Sequence, residues 1–565
     1  MNEKKFWTKS YDEHVPVSLE YENKDMATIL IEGMKRFPEN IGFYFMELEI
    51  TYREVYEFSV RFATYLQKKG IKKGDVVAIN LPNCPQYLFA FYGAVMAGAV
   101  VSGLSPLLSK SEIVYQMEDC GAKVLITLDA LYEKVFTEIL DKLKNLKLVI
   151  TTNIADFMGF SKIKVFLGKL LRKIPTGKVE PFKDIEVIDL SETFEAPMNL
   201  KKPNIDPEKD LLLLQYTGGT TGTPKGVEIK HISMVRNLHQ FATWLDREEG
   251  REVVISAFPY FHLAGLFIGM FLTYISASHV IIANPRDTDH LIKEIIKTKP
   301  TIFANVPTLF LMIQKNPKSK EIPEKILENI GLYFSGASPF PAEAVKDFER
   351  DFHSENKFVE VYGLTETSVL VTVNPVYGKK KIGTVGIPLP DTKVKILDVD
   401  TREECPIGKA GEIVVTGPQV STSYRNKPEA TEATFIDGWV YTGDVGVFDE
   451  DGYLKIVDRT KDMISVSGYK VYSVHVENVL TKHPNIELIA IIGVPNPERP
   501  GSEIVKAIIQ LKEGIELSDK VKSEIEDYAE KSLAKYEVPK IWEYQEELPL
   551  TAVGKISKPS LRKNL

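Results

Sequence analysis

A chain of 565 residues is too long for one simple core, and at ~100–200 residues per domain it should divide into two to four. Its composition, 44% hydrophobic and 26% charged, is that of a globular protein and excludes a largely disordered chain. Seventy basic against 78 acidic side chains leave a formal charge of −8, which argues against polyanion binding as the main task.

The N-terminus, MNEKKFWTKSYDEHVP, is charged and lacks the apolar stretch of a secretory signal. Cys84, Cys120 and Cys405 lie too far apart for a disulfide framework or zinc motif, so a reducing, cytoplasmic setting is expected. Residues 73–83 read as a strand, followed by a helix and a strand at 98–104; residues 123–128 and 147–151 read as further strands. Two uncharged stretches, 88–109 and 253–285, are each long enough to span a bilayer. Gly93, Gly98, Gly103 and Pro106 interrupt the first, and Pro259, His262 and His279 the second, so buried helix-then-strand units are expected instead.

Residues 161–178 carry six basic side chains and no acidic one, together with Ile163, Val165, Phe166, Leu167, Leu170 and Leu171. The expectation is an insertion packed on the body with a solvated basic face; the alternative is an interfacial helix on anionic lipid. Strands at 301–306 and 331–335 follow, each ending in a turn-rich segment, and the alternation up to about residue 460 is that of a layered α/β body. Residues 445–448 and 453–457 flank Asp449-Glu-Asp-Gly452 as a hairpin. Beyond a boundary at 458–462 a small α+β unit is expected: a helix after Ser473, strands at 488–494 and 504–511, a charged helix at 518–533 and a strand at 541–544.

The strongest local signal is Tyr216-Thr-Gly-Gly-Thr-Thr-Gly-Thr-Pro-Lys-Gly226, which follows an apolar strand. Its glycines let backbone N–H groups approach an anion, and its hydroxyls and Lys225 add donors, so the composition is that of a phosphate cradle. It is not the P-loop of nucleoside triphosphatases, because Pro224 precedes the lysine, Gly226 follows it, and Val227-Glu-Ile-Lys alternates like a strand. Ser335-Gly-Ala-Ser-Pro339 and Val361-Tyr-Gly-Leu-Thr-Glu-Thr367 both end predicted strands, where ligand sites of α/β sheets collect. Tyr441-Thr-Gly-Asp444, Asp458-Arg-Thr-Lys-Asp462 and Pro549-Leu-Thr-Ala-Val-Gly-Lys-Ile556 complete an ordered set.

With these motifs the chain resembles the adenylate-forming superfamily of acyl-CoA synthetases, luciferases and adenylation domains, from about residue 25 to 562. Phe258-Pro-Tyr-Phe-His-Leu-Ala-Gly265 and the basic insertion are most similar to the fatty-acid–CoA ligases. The resemblance implies a large N-terminal body (1–458), a hinge (459–463) and a small mobile C-terminal α+β domain (464–565). It implies two steps: a medium- or long-chain acid is adenylated by ATP with loss of pyrophosphate, and coenzyme A then displaces AMP.

By resemblance, Thr217, Gly218, Gly219, Thr220, Thr221, Gly222 and Lys225 cradle the phosphates, while Thr220 and Glu366, with Thr365, hold Mg²⁺. Gly336, Ala337, Glu360, Val361, Tyr362 and Gly363 bind ATP or AMP, with Tyr362 and the Gly336-Ala337 pair at the adenine and Val361 also bordering the acyl group, and Asp444 and Arg459 hold the ribose. Lys555 offsets the charge of two meeting anions, Lys461 marks the hinge, and Gly468 and Tyr469 line the CoA path. His262 completes the catalytic group with Lys225 and Lys555, between that path and the acyl pocket. Val361 stands where the family often has glycine, and Leu266 stands at the position of an aromatic gate, so chain length is open. An aryl or short-chain acid, loading of a carrier protein, and a membrane-surface acyl-binding protein are the alternatives. Expected partners are the acid, ATP and CoA, with a peripheral membrane contact and a homodimer also implied, and no nucleic acid.

Overall fold

The computed structural model describes residues 6–217, 223–338, 340–466, 469–497, 499, 502–550 and 556–562. A seven-stranded sheet runs, in spatial order, Glu186–Asp189, Leu148–Thr152, Ala122–Leu128, Val76–Asn80, Val100–Gly103, Leu211–Thr217 and Lys225–Lys230. The first six are parallel, and Val76–Asn80 and Val100–Gly103 are buried along their whole length, as a sheet covered on both faces requires. Lys225–Lys230 returns antiparallel to Leu211–Thr217, so the lysine begins a strand, as the alternation predicts.

The second sheet has nine strands. Its centre is the parallel set Ser278–Ile281, Val253–Ser256, Ile302–Asn305, Leu332–Ser335 and Phe358–Tyr362. The two uncharged stretches become the helix Pro85–Met96 with the strand Val100–Gly103, and the helix Leu263–Tyr274 between Val253–Ser256 and Ser278–Ile281. Their apolar character is spent on each other. Tyr92 of the first helix donates to the Gly269 carbonyl of the second at 2.9 Å, and both helices belong to one core with the neighbouring sheets. Among the described residues no helix is long and apolar enough to cross a membrane.

A five-stranded sheet follows, in which Trp439–Phe448 and Leu454–Arg459 form the expected hairpin around Gly452. The chain leaves this sheet at Arg459 and enters a separate unit at Ile464. There the helix Ser473–Leu480 and the helix Asp519–Ser532 pack on the sheet Ile486–Pro495, Glu503–Leu511 and Ile541–Tyr544. This unit has its own core, centred on Ile464, Val476, Ile489, Ile491, Ile509 and Ile525.

One expectation fails in part. Residues 162–170 do form a helix, but it buries none of its residues, and its large apolar side chains face solvent.

Candidate active site

Three strands deliver their C-terminal ends to one cavity of about 2670 Å³: Leu211–Thr217, Leu332–Ser335 and Phe358–Tyr362. The cavity also reaches the five-stranded sheet and the small C-terminal unit, so one continuous space touches nearly every motif singled out in the sequence.

Thr217 and Lys225 face each other across the hairpin base, where the Thr217 hydroxyl donates to the Lys225 carbonyl at 3.4 Å. Both ends of the intervening loop are pinned. Tyr216 donates to Asp119 at 2.6 Å, and Tyr115 donates to the Pro224 carbonyl at 3.0 Å. Gly218, Gly219, Thr220, Thr221 and Gly222 lie outside the described residues, as do Gly468 and Lys555.

Lys225 Nζ lies 4.4 Å from the centroid of the Tyr424 ring, and the Tyr424 hydroxyl donates to Glu366 Oε1 at 2.7 Å. Tyr424 thus couples the cradle lysine to the carboxylate expected to hold a cation. The sequence reading did not single it out, since its flanks, Ser423 and Arg425, give no signal. Thr365 and Glu366 form a single 3₁₀ turn beyond Tyr362 and line the same space.

Tyr362, Asp444 and Arg459 come together. The tyrosine hydroxyl donates to Asp444 Oδ2 at 2.8 Å, and Arg459 Nε lies 3.1 Å from Asp444 Oδ1. Asp444 and Arg459 are register partners on the two strands of the hairpin, so strand pairing itself places the ion pair. Burial and the neighbouring Asp444 carboxylate push the Tyr362 phenol well above its usual range, and Asp444 also holds the Arg459 guanidinium charged. Both Asp444 oxygens therefore have partners that a ribose would have to displace or share.

The wall expected to face adenine is tight. A Cβ on Gly336 would stand 2.7 Å from Val361 Cγ2, and one on Gly363 would meet the Val369 carbonyl oxygen, so neither position admits a side chain. Ala337 adopts φ +68, a left-handed conformation that favours glycine. Glu360 is buried and accepts from the Gly383 N–H at 2.8 Å; desolvation pushes its carboxyl up to about 8. Beside it, the Ser335 hydroxyl is buried and lines the cavity.

The apolar end is walled by Phe241, Phe267, Phe271 and Phe334, with Leu245, Leu272 and Ile302. Phe241 lies 4.7 Å from Phe271 and 5.6 Å from Phe334 between ring centroids. Leu266 does not line this space. It is fully buried on the other side of its helix, and Phe267 and Phe271 present the aromatic wall instead. Their i, i+4 spacing in the sequence was the available signal. His262 caps that helix: Nδ1 accepts from the Ala264 N–H at 3.3 Å, which puts the proton of the neutral ring on Nε2.

From the C-terminal side, Ser557, Lys558 and Pro559 line the cavity. Lys558 is held by Glu477 and by the Ser473 hydroxyl, each at 2.7 Å, while Arg562 pairs with Asp462 at 2.7 Å. Lys461 lines the cleft between the two parts, where desolvation and the charge of Arg459 lower its pKa. Tyr469 is exposed and stacks on Tyr536 with centroids 4.8 Å apart.

A two-part body that closes over a phosphate-cradle hairpin, a tyrosine–aspartate–arginine cluster and a C-terminal tail defines a class, and sequence comparison gives it a name. The chain belongs to the AMP-binding enzyme family, whose profile matches residues 31–425, with the AMP-binding enzyme C-terminal domain at 475–555. It is similar to the long-chain-fatty-acid–CoA ligase of Bacillus subtilis, 37% identical over 99% of this chain and 98% of the relative. A long-chain-fatty-acid–CoA ligase of Escherichia coli is 33% identical with the same coverage. Among solved structures, the anthranilate CoA ligase AuaEII in complex with anthranoyl-AMP superposes with a TM-score of 0.83 at 25% identity, covering 97% of this chain and 98% of that one.

Proposed function

We propose that this enzyme joins a long-chain fatty acid to the thiol of coenzyme A at the expense of ATP, through an acyl-adenylate. The observation that carries the reading is the single cavity in which a polar arm, with Lys225, Tyr362, Asp444 and Arg459, opens into an apolar arm of phenylalanine rings. The long-chain-fatty-acid–CoA ligases that match almost the full chain support it.

In the first step a carboxylate oxygen attacks the α-phosphorus, the bond to the bridging oxygen of the β-phosphate breaks, and pyrophosphate leaves. In the second the CoA thiol gives its proton to solvent, its sulfur attacks the acyl carbonyl carbon, and AMP leaves with the electron pair of the mixed anhydride bond. Lys225 and Lys555 offset the negative charge that gathers when carboxylate meets phosphate. Tyr362 faces the adenine, and Asp444 and Arg459 exchange part of their mutual contact for the ribose hydroxyls. His262, fixed by its cap bond, walls the junction of the acyl and thiol paths.

Glu366, with Thr220 and Thr365, offers the oxygen donors that Mg²⁺ takes, and the cation would supply phosphate charge neutralisation. The reading treats residues 1–458 as the body, 459–463 as the pivot and 464–565 as the part that moves between steps, with Gly468 and Tyr469 on the CoA path. The Ser473 hydroxyl donates to Asp458 at 2.9 Å across that proposed pivot, a contact the motion would have to keep or break.

The test is ATP–pyrophosphate exchange and thioester formation across short, medium and long fatty acids and aryl acids, with CoA present and absent. Long-chain acids should support both reactions. Exchange confined to aryl acids, or AMP release only with a carrier protein, would overturn the proposal.

A further inference from the structure

The helix Lys162–Leu170 rests on the body by its small side. Val165 packs on the core and Gly168 meets Ile174, where a Cβ would stand 2.6 Å from Ile174 Cδ1. On the opposite side Ile163 is 73% exposed, Phe166 66%, Leu170 66% and Leu171 63%. These positions, with Leu167, follow the i, i+3, i+4, i+7 spacing of one helical face. This is no loose excursion. Ser161 caps the helix, Arg172 ends it at φ +55, and Ile174 is buried. Beyond it, Asn153 Nδ2 donates to the Pro175 carbonyl at 2.9 Å, and Thr176 donates to Asp129 at 3.3 Å.

At 100° per residue, Lys162 and Lys169 fall along one border of the apolar face and Lys164 along the other. Arg172 and Lys173 follow at the helix end. Among the described residues none of these five cations makes a salt bridge, and the segment 161–178 holds no carboxylate, in a chain whose net charge is −8. A second copy of this chain is a poor occupant of such a face, because apposed faces would bring cations without salt-bridge partners together from both sides. A surface that is apolar within and anionic at its rim suits both features.

We infer that the face formed by Ile163, Phe166, Leu167, Leu170 and Leu171 docks on an anionic lipid bilayer, the apolar side chains entering the acyl boundary and the flanking lysines meeting lipid phosphates. The lysine stems can lie along the apolar side chains while their ammonium groups reach outward. The helix lies on the membrane and does not cross it, so binding is reversible.

The test uses the full-length protein without acid, ATP or CoA, which keeps its outcome separate from that of the ligase proposal. Co-sedimentation is measured with vesicles of phosphatidylcholine alone and of phosphatidylcholine mixed with phosphatidylglycerol. Binding should favour the anionic vesicles and weaken as salt rises. Replacing Lys162, Lys164, Lys169 and Lys173 by Gln should lower it about tenfold or more. The F166Q/L170Q double variant should lower it by a similar factor with all charges kept. The salt dependence of the wild type reads the same contact with no substitution at all. Equal binding to both vesicle types, unchanged binding of either variant, or a wild-type dimer that F166Q/L170Q converts to monomer would overturn the inference.

Discussion

The two arms of the cavity are held by opposite kinds of contact. In the polar arm each group is tied to a partner from another segment: Tyr362 to Asp444, Asp444 to Arg459, Tyr424 to Glu366, Glu360 to Gly383. In the apolar arm Phe241, Phe267 and Phe271 meet ring against ring, and only volume sets the limit. Removing one member of the first kind leaves a desolvated partner unmet, whereas trimming the second opens space by degrees. The polar arm should therefore fail abruptly under mutation and the apolar arm should retune.

The sharpest break is Lys555→Ala. It should slow acyl-adenylate formation by about 10²–10³-fold, the cost of losing one charge aimed at a transition state. Thioester formation from supplied acyl-adenylate should stay near wild type, because the meeting of two anions is then already past. Running the half-reactions separately checks this, and equal slowing of both would contradict the assignment.

Asp444→Ala should come next. Charge-assisted hydrogen bonds of ~1.5–3 kcal/mol correspond to a rise of about 10–10²-fold in KM for ATP. The ranking of acids by chain length should not move, since Asp444 stands in the other arm. A changed ranking in steady-state kinetics would mean that the arms are coupled.

Glu360 offers a pH test of the polar wall. Its folded carboxyl, at about 8, lies above the ordinary 4.5, so the protonated form is the one the fold prefers. The stabilisation is complete below the ordinary value and is lost as pH rises through about 8. At ~1.4 kcal/mol per pH unit the shift sets an upper limit of about 5 kcal/mol on the loss, which relaxation of the site lowers. Glu360→Gln should flatten the curve of unfolding midpoint against pH over that window; parallel curves for the two proteins would refute it.

The mildest change probes the junction of the arms. Val361→Gly removes the methyl groups that fill the space beside Gly336 and should alter the preference among acids by about tenfold. Competition between acids of different length measures it, and an unchanged profile would place Val361 off the acyl path.

The reach of sequence reasoning divides along the same line. Strands such as Val76–Asn80, Ile541–Tyr544 and the hairpin after Trp439 were legible because their periodicity and turn residues are local. The link between Tyr362 and Asp444 was not, because a side-chain hydrogen bond there joins two different sheets across 82 positions of sequence. Nor was Tyr424, which acquires its role only when the strand from Lys225 passes beside it. Leu266 and Phe267 show how one position along a helix decides between core and cavity. For residues 162–170 the two-faced pattern was plain, but which face meets the body was decided by Gly168 fitting against Ile174.

The short helix Lys558–Arg562 is clasped at both ends. Arg562 returns 100 residues to Asp462, at the start of the small unit, and Lys558 returns to Ser473 and Glu477. The unit is thereby closed like a buckled strap, its two ends fastened at the point about which it would turn. Torque applied there would reach the far sheet without unravelling the tail, and the amides of Leu561 and its neighbours should exchange hydrogen as slowly as those of Ile491 and Ile509. Cutting the buckle with Arg562→Ala would loosen the unit at the proposed pivot, a mechanical fault that leaves every wall of the cavity in place.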